Sequence, residues 1–303
     1  MQRSDMSDPM WSRVGAPLAA QAVASHPTGQ DAIYGTATAG VERTRGYTRA
    51  RVLGIWAAAA LPMGILGWIV APALTPDIQS NPVGAVVTRT GTLTLGLIWL
   101  FVLSLILVYR EEGDVRWTTL RRRLRLNAPR DPHTGEPRRT LWLWALPLVI
   151  LIALWELALV PQLNHLWTSL FPFLAEPSGF TFGSALASPA VRGQFVGAWG
   201  ILALLALNAL FNAFLGEELL FRGVLLPRMN TVFGRWDWLA NGVLFGMYHL
   251  HQPWGMLGNI GAGALLYALP ARQFRSTWMS VIVHSVQSVY FLFLILGLVL
   301  GLA

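Results

Sequence analysis

Long apolar runs recur along this chain, and they constrain its fold more than any other feature. A helix needs ~20 predominantly apolar residues to cross a bilayer, and runs of that order lie at 52–72, 91–109 and 141–161. A fourth starts near Val196 and runs through to Pro227, followed by apolar stretches at 237–251, 254–270 and 277–302. With 54% hydrophobic and 12% charged residues, the chain is too apolar for an ordinary soluble domain. The expected fold is all-α: a polytopic membrane helical bundle of about seven transmembrane helices, residues 51–303, multi-pass in the cell membrane.

Charge sets the expected orientation. All 22 basic residues are arginine, and they crowd next to the apolar runs. Arg43, Arg45, Arg49 and Arg51 precede the first span, and nine arginines fall between Arg110 and Arg139, including Arg121, Arg122, Arg123 and Arg125. The 73–90 connection carries only Arg89. Cytoplasmic loops are enriched in Arg and Lys, so the N-terminus and the 110–140 loop are expected in the cytoplasm, the 73–90 connection outside, and the C-terminus outside after seven crossings. Arg228 and Arg235, then Arg272 and Arg275, mark the later inward turns. The loop also has the chemistry to touch anionic lipid or a substrate tail. This placement beside membrane spans argues against nucleic acid as the partner of the +7 charge. Residues 1–50 are polar, small and without periodicity, and read as a disordered cytoplasmic arm that no signal-peptide pattern would remove. The chain has no cysteine, so disulfides and thiolate metal sites are out.

Against this background the stretch from Asn208 to Arg222 stands apart, because it carries Glu217, Glu218 and Arg222 where a membrane helix carries leucines. Ionisable groups at depth are costly and are usually paired or functional; the plainer alternative is a pair of solvated carboxylates at a helix end. Glu218 and Arg222 are four apart with the acid first, the favoured order for an intrahelical ion pair. Consecutive helical residues point about 100° apart. Glu217 therefore faces elsewhere, and its own four-residue neighbour is Phe221. Glu156 in the third span reads as a hydrogen bond to a neighbouring helix, and His165 as an interfacial residue on the outer side.

Depth brings other residues to the same level. At 1.5 Å per residue, Glu217 lies ~15 Å in from Pro227, His249 ~18 Å in from Asp237, and His284 and Ser288 ~12 and ~18 Å in from Ser276. Each buried polar group needs a partner, and these are the partners available. The set suits activation of water: a carboxylate as general base, an imidazole to hold the water, and His284 with Ser288, one turn apart, as donors to a developing oxyanion. A carboxylate with two imidazoles is also a zinc set, so Glu217, His249 and His284 are the ligands if a metal is present. That use would leave no free carboxylate as base, which favours a metal-free site without a cofactor. His251, two residues from His249, is expected to point away on a helix.

The ordered trio Glu217-Glu218-x-x-x-Arg222, Phe245-x-x-x-His249 and His284-x-x-x-Ser288 resembles the three motifs of the CPBP intramembrane proteases, the group that includes the CAAX prenyl endopeptidase and many Abi-type bacterial membrane proteins. The resemblance covers roughly 195–290, the expected catalytic core. It implies that Glu217 and His249 activate the water, that His284 and Ser288 form the oxyanion site, and that Glu218 and Arg222 fall on the family's second glutamate and its arginine. The family was first described as metalloproteases, and a metal-free glutamate mechanism is the favoured view for its prenyl endopeptidases. Ser288 departs from the prenyl endopeptidase, which has Asn there; a hydroxyl offers one donor against an amide's two.

The function expected is that of an intramembrane endopeptidase acting on a peptide or membrane-protein substrate, lipidated or not, from a site open to the cytoplasmic side. The alternative is a membrane interaction or immunity protein that keeps the fold without turnover. Proton-coupled transport would predict inverted repeats or paired broken helices, and neither is visible.

Overall fold

The computed structural model describes residues 46–78, 80–177, 186 and 188–302. Most of the expected N-terminal arm, 1–45, lies outside them. The described residues form helices with short connections and no strand.

Each helix boundary follows from local chemistry. Helix α1 (Arg49–Leu74) starts at Thr48, whose side chain accepts from the Arg51 N–H at 3.2 Å. Helix α2 (Pro82–Glu112) has Pro82 in its first turn, where no backbone donor is missed, and Asn81 capping the Gly84 N–H at 2.9 Å. It stops at Gly113, whose left-handed φ of 76° closes the final turn onto the Tyr109 carbonyl. A short helix α3 (Trp117–Arg123) leads to α4 (Arg139–Leu170). Helix α5 (199–233) then turns at Gly234, and α6 (Asp237–Tyr248), α7 (256–273) and α8 (Thr277–Val299) complete the bundle. Phe221 of α5 and Phe245 of α6 have ring centroids 5.2 Å apart, so α6 folds back along α5.

Five helical stretches among the described residues are long and apolar enough to cross a membrane: α1, α2, α4, the run 199–248 and α8. The chain is a multi-pass membrane protein. These five stretches do not by themselves give the expected count of seven: the run 199–248 contains both α5 and the returning α6, and 256–273 is not among them. At twelve residues, α6 is ~18 Å long against a hydrocarbon core of ~30 Å. The local chemistry agrees: Pro253 disfavours helical backbone at Gln252, whose φ of −148° and ψ of 68° are non-helical, and the helix expected over 237–251 ends at Tyr248. The turn beyond it is held by Trp68 and Trp167, whose indole N–H groups donate to the carbonyls of Leu250 and Pro253.

Burial separates centre from periphery. Half of the apolar window of α2 is buried inside the protein, against 6% for α4, whose leucines therefore face lipid. The main core packs α1, α2, α5, α6 and α8 around Leu100, Leu220, Phe221 and Tyr248. Helices α6 and α7 meet through small residues. A Cβ on Gly242 would lie 2.4 Å from the Ala264 backbone, and one on Gly246 2.7 Å from the Ile260 nitrogen. Close approach of this kind drives helix association where water supplies no hydrophobic force.

Near the C-terminal ends of α2 and α5, Glu111 gathers Tyr47, Arg51, Arg123 and Arg228, with Arg228 Nη2 at 2.6 Å. Arg122 pairs with Glu112 at 2.6 Å. Part of the arginine-rich loop is thus bound to the end of α2. Nearby, burial and the charge of Arg275 push Arg125 down to about 10.

Candidate active site inside the membrane

Helix α5 is widened into π-helical turns over Phe211–Gly216 and Leu219–Leu225, on both sides of Glu217 and Glu218. Such turns are rare and are found disproportionately at functional sites. Ordinary helical spacing would send the two carboxylates apart, but here both reach the same imidazole. His284 Nδ1 lies 3.0 Å from Glu218 Oε1, and its Nε2 lies 3.9 Å from Glu217 Oε2. Both glutamates are buried, Glu218 completely.

Arg222 joins Glu218 as their four-residue spacing expects, with Nη1 donating to Oε1 at 2.9 Å. Its Nη2 donates to the Gly263 carbonyl at 3.1 Å, and the guanidinium lies over the Phe245 ring, 4.2 Å from the centroid. Gly263 is required by this crowding, since a Cβ there would lie 2.7 Å from the Phe245 ring and 3.4 Å from Arg222.

His249 is the first residue past α6, and its ψ of 45° takes the chain out of the helix. Its Nδ1 is 2.9 Å from the Phe245 carbonyl. A carbonyl only accepts, so Nδ1 carries the proton and Nε2 is turned to Glu217 Oε1, 4.0 Å away. Because the helix has ended, His251 does not point away as expected. Its ring stacks on His249 with centroids 5.5 Å apart, and its Nδ1 is buried without a hydrogen bond.

The structure therefore brings Glu217, Glu218, Arg222, His249 and His284 into one cluster from α5, the end of α6 and α8. Ser288 lies one turn beyond His284 on α8 and is half-buried. Glu156 accepts from Gln287 Nε2 of α8 at 3.2 Å, the hydrogen bond between helices expected for it. Tyr267, which no spacing argument singles out, stacks on His284 with centroids 4.6 Å apart and holds the ring's plane.

The donor types suit zinc, and Glu217, His249 and His284 would be the residues to hold it. The spacing does not suit it. Tetrahedral bonds of ~2.0–2.1 Å place neighbouring ligand atoms ~3.3 Å apart, whereas the two Nε2 atoms stand 4.0 and 3.9 Å from the carboxylate. Among the described residues no group of three or more such side chains is arranged to hold a metal ion.

Residues 198–290 match the family described as type II CAAX prenyl endopeptidase Rce1-like. Over this segment the chain is similar to the CAAX-type (CPBP) protease family. The CAAX-type segment takes in α5, α6, α7 and the first part of α8, which together carry the whole cluster, and leaves α1 to α4 outside the match. The family is one of membrane proteases that act on peptide substrates in the bilayer. No curated protein and no solved structure matches the chain.

Proposed function

We propose that the protein is an intramembrane endopeptidase in which Glu217 activates a water to hydrolyse a peptide bond. The observation that carries this reading is the pair of imidazole Nε2 atoms, from two different parts of the chain, directed at one buried carboxylate from 4.0 and 3.9 Å. Those separations are too long for a direct hydrogen bond, and three polar groups converging in this way are suited to hold a water with a small adjustment.

The chemistry follows from the roles left available. Glu218 is committed to Arg222 and His284, so Glu217 is the base. It takes a proton from the water, with His249 Nε2 holding the same water. The hydroxide adds to the scissile carbonyl carbon, and the negative charge moves to the carbonyl oxygen. The His284 ring, held by the Glu218 carboxylate, stabilises that oxygen through its Nε2 side together with the Ser288 hydroxyl. Protonated Glu217 then gives its proton to the leaving nitrogen as the C–N bond breaks. No step requires a metal.

The membrane domain is 51–303, with 195–290 as its catalytic core and 110–140 as a cytoplasmic loop. Arginine asymmetry supports an N-terminus in the cytoplasm and a site opening to that side. The substrate is a peptide or membrane protein, lipidated or not.

The test is a comparison of membrane-peptide termini between cells carrying the normal protein and cells carrying Glu217→Gln. New ends that vanish with Glu217→Gln are expected. Identical sets of termini would favour a non-catalytic interaction protein instead.

A further inference from the structure

The hydroxyl of Tyr248 is a polar group beside the cluster that the mechanism above does not use. Tyr248 is completely buried, and its ring is wedged among Phe221, Phe245 and His249 at centroid distances of 5.4, 6.5 and 5.1 Å. Its hydroxyl lies close to the Glu217 carboxyl without forming a hydrogen bond to it. The Tyr248 hydroxyl and Glu217 Oε2 both lack a well-formed hydrogen bond within the protein.

Two neighbouring buried polar atoms without a hydrogen bond are not accounted for by packing. Burying a hydroxyl without a partner costs free energy, and a phenylalanine would fill the same aromatic pocket at no such cost. Packing alone therefore favours Phe at this position. The hydroxyl is explained if its hydrogen bond is made in the working state of the site.

We propose that Tyr248 is a positioning residue for the base: its hydroxyl donates to the Glu217 carboxylate and fixes the rotation of that group, so that one oxygen is aimed at the water. A phenol has the chemistry for this role. It is a single donor on a rigid ring, and it remains protonated at neutral pH. Its neighbour His249 is turned to the same carboxylate, so two adjacent residues set the base from one side while His284 approaches from α8. The departure from the helix at His249 makes this possible, because consecutive helical residues would point about 100° apart.

This inference rests on Glu217 as the base, and the test separates the two. A synthetic peptide spanning a junction whose ends vanish with Glu217→Gln serves as the probe, cleaved by purified full-length protein. Tyr248→Phe is expected to lower kcat roughly ten- to a hundredfold with KM unchanged, while the thermal midpoint stays level or rises. A purely structural tyrosine gives the reverse pattern, with stability and recovered protein falling together with activity, and that result overturns the proposal. So does wild-type kcat in Tyr248→Phe where Glu217→Gln is inactive, which leaves the Glu217 assignment standing. Failure to find any junction sensitive to Glu217→Gln overturns both.

Discussion

Arg222 is the residue whose removal should cost this protein most. It is fully buried against a fully buried Glu218, and its other contacts, the Gly263 carbonyl at 3.1 Å and the Phe245 ring at 4.2 Å, tie α5 to α7 and α6. Arg222→Ala deletes the cation and leaves the Glu218 carboxylate, still beside the His284 imidazole, without its arginine. Breaking a buried pair from one side costs roughly 3–5 kcal/mol, because the stranded charge keeps its desolvation penalty. That should lower the thermal midpoint by on the order of 10 °C, readable from the fluorescence of the 14 tryptophans in detergent. Glu217→Gln is the control. It is nearly isosteric, and the Glu217 carboxylate is 3.9–4.0 Å from its imidazole neighbours, so its midpoint should stay close to that of the wild type while turnover is lost. Removing both charges, with Glu218→Gln and Arg222→Met together, should recover part of the loss seen in Arg222→Ala. Equal destabilisation by Arg222→Ala and Glu217→Gln, or a wild-type midpoint in Arg222→Ala, would refute this division between a structural pair and a chemical group.

Gly242→Ala should destabilise by roughly 1–3 kcal/mol through overpacking, since the Ala264 backbone that its Cβ meets at 2.4 Å cannot rotate away; a wild-type melting curve would mean that α6 and α7 are not in such close contact. A single cysteine placed in the 121–125 run, in a chain with none of its own, should be labelled only after the membrane is opened, and labelling from outside intact cells would reverse the orientation. Exhaustive chelation of active, purified protein should leave its activity intact. About one zinc per chain, lost and restored in step with activity, would make Glu217 a metal ligand rather than the base.

Much of this molecule was legible in the sequence because the bilayer leaves few options. Runs of about twenty apolar residues read as helices, and Glu218 with Arg222 reads as a pair, because both follow from helical period and the cost of burial. The Glu156–Gln287 hydrogen bond follows from the same cost. What escaped was whatever departs from regular pitch. Estimating depth at 1.5 Å per residue assumed a continuous helix through His249, whereas the chain leaves the helix there and brings His251 against the His249 ring. Shared use of His284 by Glu217 and Glu218 was equally invisible, since α-helical spacing puts the two carboxylates on different faces. Tyr267 beside His284 and Gly263 beneath Arg222 depend on how α7 packs against its neighbours, and single-chain periodicity carries no information about that.

The widened turns of α5 make this helix sensitive to its length as well as to its composition. A π-helical turn holds one more residue than an α-helical turn, so deleting a single residue within 211–216 would let regular pitch return. Because five residues at about 100° cover nearly the arc of the six widened ones, the two ends of α5 would then stay almost in register, whereas an insertion there would rotate them relative to each other by about 100°. They are anchored independently, by Asn208 Nδ2 on Thr94 of α2 at 2.9 Å and by Glu218 on His284 of α8 at 3.0 Å, and no rigid shift of the helix can satisfy both after such a rotation. Insertions in this stretch should therefore be far more damaging than apolar substitutions at the same positions, with the number of residues acting as the gauge that keeps the carboxylates in register with the imidazoles.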